Sequence, residues 1–173
     1  MSDELKGHIK ADPKAAHGIW DMIVSNTALK SRAKFRAYVA SAQNNLALNS
    51  YVKMVMDGES YDIGGNFDAV TDFRFVAPVA GFYAFTAGIL LTSGGAGHLY
   101  NLALYKNGSV ETLTQAAMNS DGDNIGLVIS DIMRLAANDY IEVYVRSVNN
   151  STTDITTGAT NSYFAGHIIS TDI

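Results

Sequence analysis

An all-β sandwich of two antiparallel sheets, preceded by a short N-terminal helical segment, is the fold that three features of the sequence predict. From Lys34 onward, β-branched and aromatic residues alternate with other residues at a period of two. Clusters of Gly, Asn and Asp interrupt these runs at short intervals, as turns between strands do. The chain of 173 residues is 47% hydrophobic and only 17% charged, enough for one packed core but poor in charge for a monomer. Some of that apolar surface is expected to meet another subunit.

Residues 1–33 read as an extension with a rhythm of its own. Behind the start signal Asp12-Pro13, the residues Ala15, Ala16, Ile19, Trp20, Ile23 and Val24 recur at helical spacing, which predicts a helix over 13–29. Gly18 costs that helix about 1 kcal/mol relative to Ala, so packing on the Trp20 face must hold it, either on its own domain or in a larger assembly. Residues 34–173 read as the sandwich. Strands are expected at 34–41, 51–57, 72–77, 82–91, 99–106, 109–118, 124–132, 139–147 and 162–169. In the run Phe82 to Ile89, Tyr83, Phe85, Ala87 and Ile89 share one face, and Phe82, Ala84, Thr86 and Gly88 the other. Both faces are largely apolar, which is best explained if one sheet also faces a neighbouring subunit.

Charge and composition exclude several classes. The formal net charge is −5, and Lys30, Arg32, Lys34 and Arg36 form the only basic cluster, so nucleic acid is not an expected partner. The absence of cysteine removes disulfides and thiolate metal sites. The N-terminal MSDELKGHIKADPK lacks the apolar stretch of a signal peptide. No run reaches the roughly 18 apolar residues of a membrane span. Synthesis in a cytoplasm and no membrane insertion are expected.

The stretch FDAVTDFRFVAPVAGFYAF, residues 67–85, resembles the signature of the globular-head family of complement component 1q. The positions that carry it are Phe67, Asp68, Phe73, Phe75, Pro78, Gly81, Tyr83 and Phe85. Leu104-Tyr105-Lys106-Asn107-Gly108 is similar to the family's strand ending in Lys-Asn-Gly, and Ser162 to His167 to its closing strand. The resemblance covers roughly 35–169 and implies a TNF-like jelly roll that assembles as a homotrimer. It places Tyr83, Phe85 and Phe164 on strands near the threefold axis, in the trimer interface or the core. Where the family usually carries Gly-Asp, this chain has Asn138-Asp139, and Asn is a reasonable substitute at a left-handed position. The collagen-like stalk is missing, so complement function does not carry over. Residues 37–68 look more like bacterial and bacteriophage members, which cap virion fibres or spikes.

These positions have physical reasons of their own. Pro78 presets φ for a turn, and Gly81 is expected to free the backbone for the reversal into the next strand. Asn107-Gly108 is a strong hairpin signal, since both residues tolerate the positive φ of a type I′ turn.

Candidate chemistry is sparse. Ser93 to His98 is Gly-rich but precedes no helix and lacks a phosphate-loop Lys, which favours a loop at one end of the sandwich. The histidines His8, His17, His98 and His167 share no metal spacing, and no metal or cofactor is expected. Asp121-Gly122-Asp123-Asn124 resembles the start of a calcium loop, although Ile132 stands where the bidentate Glu belongs, and a turn is the simpler reading. Asp57 and Glu59 read as a solvated strand edge rather than a glycosidase pair. No nucleophile motif is present. The neutral polar stretch Asn149 to Asn161 is a candidate recognition loop, with Asn150, Thr153, Asp154, Thr157 and Asn161 as ligand-binding residues suited to a sugar.

The expected function is therefore non-enzymatic: a trimeric structural or host-surface-binding module on a bacteriophage particle, made in the host cytoplasm. Its partners are a second virion protein, held through the N-terminal segment, and a host surface glycan. The alternatives are a polysaccharide-degrading enzyme with its site at the trimer interface, and a bacterial self-assembly or adhesion protein in the cytoplasm or at the cell surface.

Overall fold

The computed structural model describes residues 33–92, 96–118, 120, 124–149 and 153–171. The helix expected over 13–29 lies outside these residues, as do Asp121, Asp123 and Asn150. Among the described residues no helix is long and apolar enough to cross a membrane.

Ala33 to Ile173 form one unit, and among the described residues its elements are all strands. They are β1 (Lys34–Tyr38), β2 (Tyr51–Lys53), β3 (Gly58–Ile63), β4 (Phe67–Asp68), β5 (Arg74–Val76) and β6 (Gly81–Thr92). There follow β7 (Leu99–Lys106), β8 (Ser109–Ala117), β9 (Ile125–Leu135), β10 (Tyr140–Val148), β11 (Asp154–Ile155) and β12 (Tyr163–Thr171). Nine of the twelve coincide with expected runs. Three, β3, β4 and β11, were not anticipated.

The strands form two antiparallel sheets. In the first, the path runs β6-β12-β1-β3, with β9 paired along β6 from Gly81 to Leu91 and β11 paired at its end. In the second, the path runs β4-β5-β10-β7-β8, with β2 also on β10. Non-consecutive neighbours such as β6-β12-β1 are the crossovers of a jelly roll rather than a meander.

Period-two alternation sends one side of β6, β9, β10 and β12 into the core. Phe35, Tyr83, Phe85 and Phe164 from the first sheet meet Phe67 and Phe75 from the second, all buried. Phe35 stacks on Phe67 at 4.8 Å and on Phe75 at 5.1 Å, and meets Phe164 edge-on at 4.9 Å. Such offset and edge contacts each add about 0.5–1.5 kcal/mol beyond area burial. The Tyr83 hydroxyl is satisfied inside this cluster by donating to the Val79 carbonyl at 2.8 Å, and burial holds its ionisation above the usual range.

Two turn residues behave differently from one another. Asn107 and Gly108 have φ of 51° and 80°, as a type I′ hairpin requires, and Asn138 takes the left-handed region at 70°. Gly81, by contrast, has no positive φ. Its lack of a side chain is needed because a Cβ there would collide with the backbone carbonyl of Ser170 on β12. The expectation of a freed reversal at Gly81 is corrected to close strand approach.

Candidate functional site

Among the described residues, the outward side of the first sheet leaves six large apolar side chains exposed. Alternation that buries Tyr83, Phe85 and Ala87 on β6 turns Phe82, Ala84 and Thr86 outward. The register carries the same face across the sheet: Ile132 lies opposite Ala84, Val128 opposite Gly88, and His167 opposite both Ala84 and Lys34. On β3, Tyr61 and Ile63 lie opposite Arg36 and Lys34. Phe82 is 42% exposed, Ile132 62% and Val128 64%, and Tyr61, Ile63 and Ile169 are also exposed. Large apolar side chains gathered on one rigid sheet mark an interaction face.

Along β1, β6, β9 and β12 the outward charges share one sign, and the acid of the face, Asp154 on β11, lies at the sheet's far end opposite Thr92. Outward positions of β1, β6, β9 and β12 hold Lys34, Arg36, Arg134 and His167, while Glu59, Asp62 and Asp131 fall opposite the inward residues Ala37, Phe35 and Phe85. Arg36 is tied to its own domain: it donates to Ala159 O at 2.6 Å and Ser60 Oγ at 3.3 Å, and its guanidinium lies 4.9 Å from the Tyr163 ring centre. Gly88 makes room for that ring, since a Cβ there would sit 2.6 Å from it. In the middle of the face the side chains are small, and a concavity of about 370 Å³ opens among Lys34, Tyr61, Thr86, Ser130, Ala165 and His167.

The outward side of the second sheet leaves Val110 and Leu113 of β8 exposed and carries a paired polar cluster on β10. Glu142 is buried there and paired with Lys53 at 2.5 Å, and Lys53 also donates to the Asp72 carbonyl at 3.1 Å. Tyr105 and Tyr144 pack beside them with ring centres 4.1 Å apart, and burial pushes both phenols above their usual range.

The residues singled out in the sequence fall in three places. Tyr83, Phe85 and Phe164 are core residues between the sheets, on the inward side of the strands whose other side forms the exposed face. The stretch expected to be an open recognition loop contains β11, and its polar groups hold structure. Thr153 is fully buried with its hydroxyl 3.2 Å from that of Ser147. Asp154 Oδ1 accepts from the Asn45 amide at 2.7 Å, and Asn161 Nδ2 donates to the Thr157 carbonyl at 2.8 Å. Asp57 accepts from the amides of Ala40 and Ser41 at 2.7 and 3.1 Å. Burial raises its pKa, but these bonds outweigh it and hold the carboxyl below its usual range. Glu59 is raised by burial and by Asp62 and Asp68. Among the described residues no cluster of three His, Asp or Glu converges to hold a metal.

The geometry is that of a jelly-roll module whose first sheet carries a broad exposed apolar face with basic side chains on β1, β9 and β12. Residues 37–169 match the family model of the C1q domain, and the chain belongs to that family. No curated protein matches it. Among solved structures it is similar to the globular domain of zebrafish complement 1qA, at 15% identity and a TM-score of 0.58 over 82% of this chain and 100% of that one. It is similar to the Eiger TNF of S. frugiperda, at 9% and 0.61 over 82% and 95%. It is also similar to murine APRIL, at 11% and 0.58 over 79% and 98%. At these identities the likeness is one of fold, the TNF-like jelly roll.

Proposed function

We propose that the protein is a non-enzymatic homotrimeric display module, closed through the outward face of the β6-β12-β1 sheet and carried on a bacteriophage particle. The observation that carries the reading is the exposed cluster of Phe82, Val128, Ile132 and Ile169 on one rigid sheet. Membership of the C1q domain family supports a threefold assembly. A closed cyclic trimer repeats one heterologous interface, so each of these side chains occurs three times around the axis, once in every subunit contact.

Residues 1–33 attach the trimer to a second virion protein, and the ends of the sandwich face outward to the host surface. A glycan is the partner such neutral polar ends would suit. Mass spectrometry and electron microscopy of purified particles test the reading. The chain in purified virions, at a threefold-symmetric projection, is the expected result; its absence from them contradicts the display role.

A further inference from the structure

The concavity in the exposed sheet face has the composition of a ligand site, and its interpretation rests on the assembly just proposed. At about 370 Å³ it falls within the size range of small-molecule sites, roughly 300–1,000 Å³. Its floor is made by small side chains, Ala84, Ala165 and Thr86, where the same strands elsewhere carry Phe82 and Tyr163. Two basic side chains line it, Lys34 and His167, directly opposite one another in the β1–β12 ladder. No carboxylate lines it.

Lys34 is exposed in the single chain, and the proposed assembly through this face would take it out of water. An ammonium buried without a counter-charge carries a large penalty, which a paired anion removes. Arg36, its neighbour, already has the Ala159 carbonyl, Ser60 and Tyr163. Among the described residues none of the ion pairs involves Lys34. The face thus has an apolar hollow, a cation at its edge with no acid among the described residues to meet it, and a neighbouring copy to close over it.

We propose that this hollow binds a small carboxylate with an apolar body, the carboxylate lying on Lys34 and His167 and the body over Ala84, Ala165 and Tyr61. The neighbouring copy seals the ligand at the subunit contact. A side chain from that copy filling the hollow is the competing occupant, and it predicts no binding at all.

Isothermal titration of the full chain with decanoate and with decanol, alongside light scattering, tests the proposal. Decanoate should bind at least about tenfold more tightly than decanol, because only the acid makes a charge-assisted contact. Lys34→Met should bring the ratio of the two affinities to within about twofold. Ala165→Leu, which fills the floor, should abolish binding of both. Equal affinity of the wild type for acid and alcohol, or a trimer that binds neither, overturns the site while leaving the assembly standing. Decanoate binding by a chain that remains monomeric overturns closure by a neighbour. The Lys34→Met comparison requires no repacking, so it decides the matter even where Ala165→Leu fails to fold.

Discussion

Phe82 and Phe85 stand three residues apart on the same strand, yet the structure assigns them opposite environments, and truncating each separates core from interface. Phe85 is 2% exposed and packs against Phe75 at 5.4 Å and Phe164 at 5.8 Å. Phe85→Ala removes a buried ring and leaves a cavity between two sheets that cannot close on it, a loss of about 3–5 kcal/mol. For a domain of this size that lowers the melting temperature by roughly 6–20 °C. Phe82 is 42% exposed. Full burial of such a side chain is worth about 1.5–3 kcal/mol, so within a single chain Phe82→Ala should cost about 1 kcal/mol. Its larger effect falls on assembly and appears as a melting temperature that depends more steeply on protein concentration. Urea unfolding of both variants at matched concentration reads these losses. A Phe85→Ala cost below about 1 kcal/mol, with Phe82→Ala the more damaging, would invert the assigned faces and refute the packing described here.

Further outcomes follow from particular contacts. Gly166→Ala places a Cβ 2.5 Å from Phe85 Cδ1 and 3.0 Å from Phe35 Cε1, and overpacking of this kind should cost about 1–3 kcal/mol in urea unfolding; unchanged stability would mean the rings yield freely. Thr153→Ala removes a buried hydroxyl from Ser147 and should cost about 1–3 kcal/mol, whereas a residue free to serve only in recognition would cost under about 0.5 kcal/mol. Asp139 is held below its ordinary pKa of 3.8, first by the Asn107 side-chain amide at 2.8 Å and also by the Ala136 amide and Lys106. Its folded pKa is the lower one, so its stabilisation is present above about pH 4 and is lost as pH falls through the folded value. Asp139→Asn should flatten the fall in unfolding midpoint between about pH 5 and pH 2.5, and an identical slope in both proteins would contradict the assignment.

The β-rich half of the fold was legible because its strands obey simple rules. The run Phe82 to Ile89 alternates cleanly, and Asn107-Gly108 marks the β7–β8 hairpin without help from distant residues. Where the reading fell short, the deciding contacts are non-local. Gly58–Ile63 (GESYDI) is an edge strand with polar, exposed side chains, so β3 gave no apolar period, and β4 and β11 are too short to have one. The segment after Tyr51–Lys53 alternates like a strand and buries Met54 and Met56, but only Met54 keeps a ladder-like bond, from its amide to the Val143 carbonyl at 2.9 Å. Gly81 answers to a carbonyl on β12, and Thr153 is buried by chain crossing far from it in sequence. The candidate site was half visible: two apolar faces on one strand pointed to a neighbour. The hollow between Lys34 and His167 required the β1–β12 register, which brings together residues from opposite ends of the domain.

The central claim, that three copies close through the outward face of the first sheet, is most directly tested by sedimentation equilibrium of the wild type and of Phe82→Asp. The wild type should give close to three times the 18.5 kDa chain mass over a wide concentration range. Phe82→Asp places a carboxylate where the face is to be dried, and burying it unpaired costs several kcal/mol at each of the repeated contacts. That variant should sediment as a folded monomer with an unchanged β-sheet circular dichroism spectrum. A wild type that stays monomeric at every concentration, or a Phe82→Asp trimer as stable as the wild type, contradicts the account.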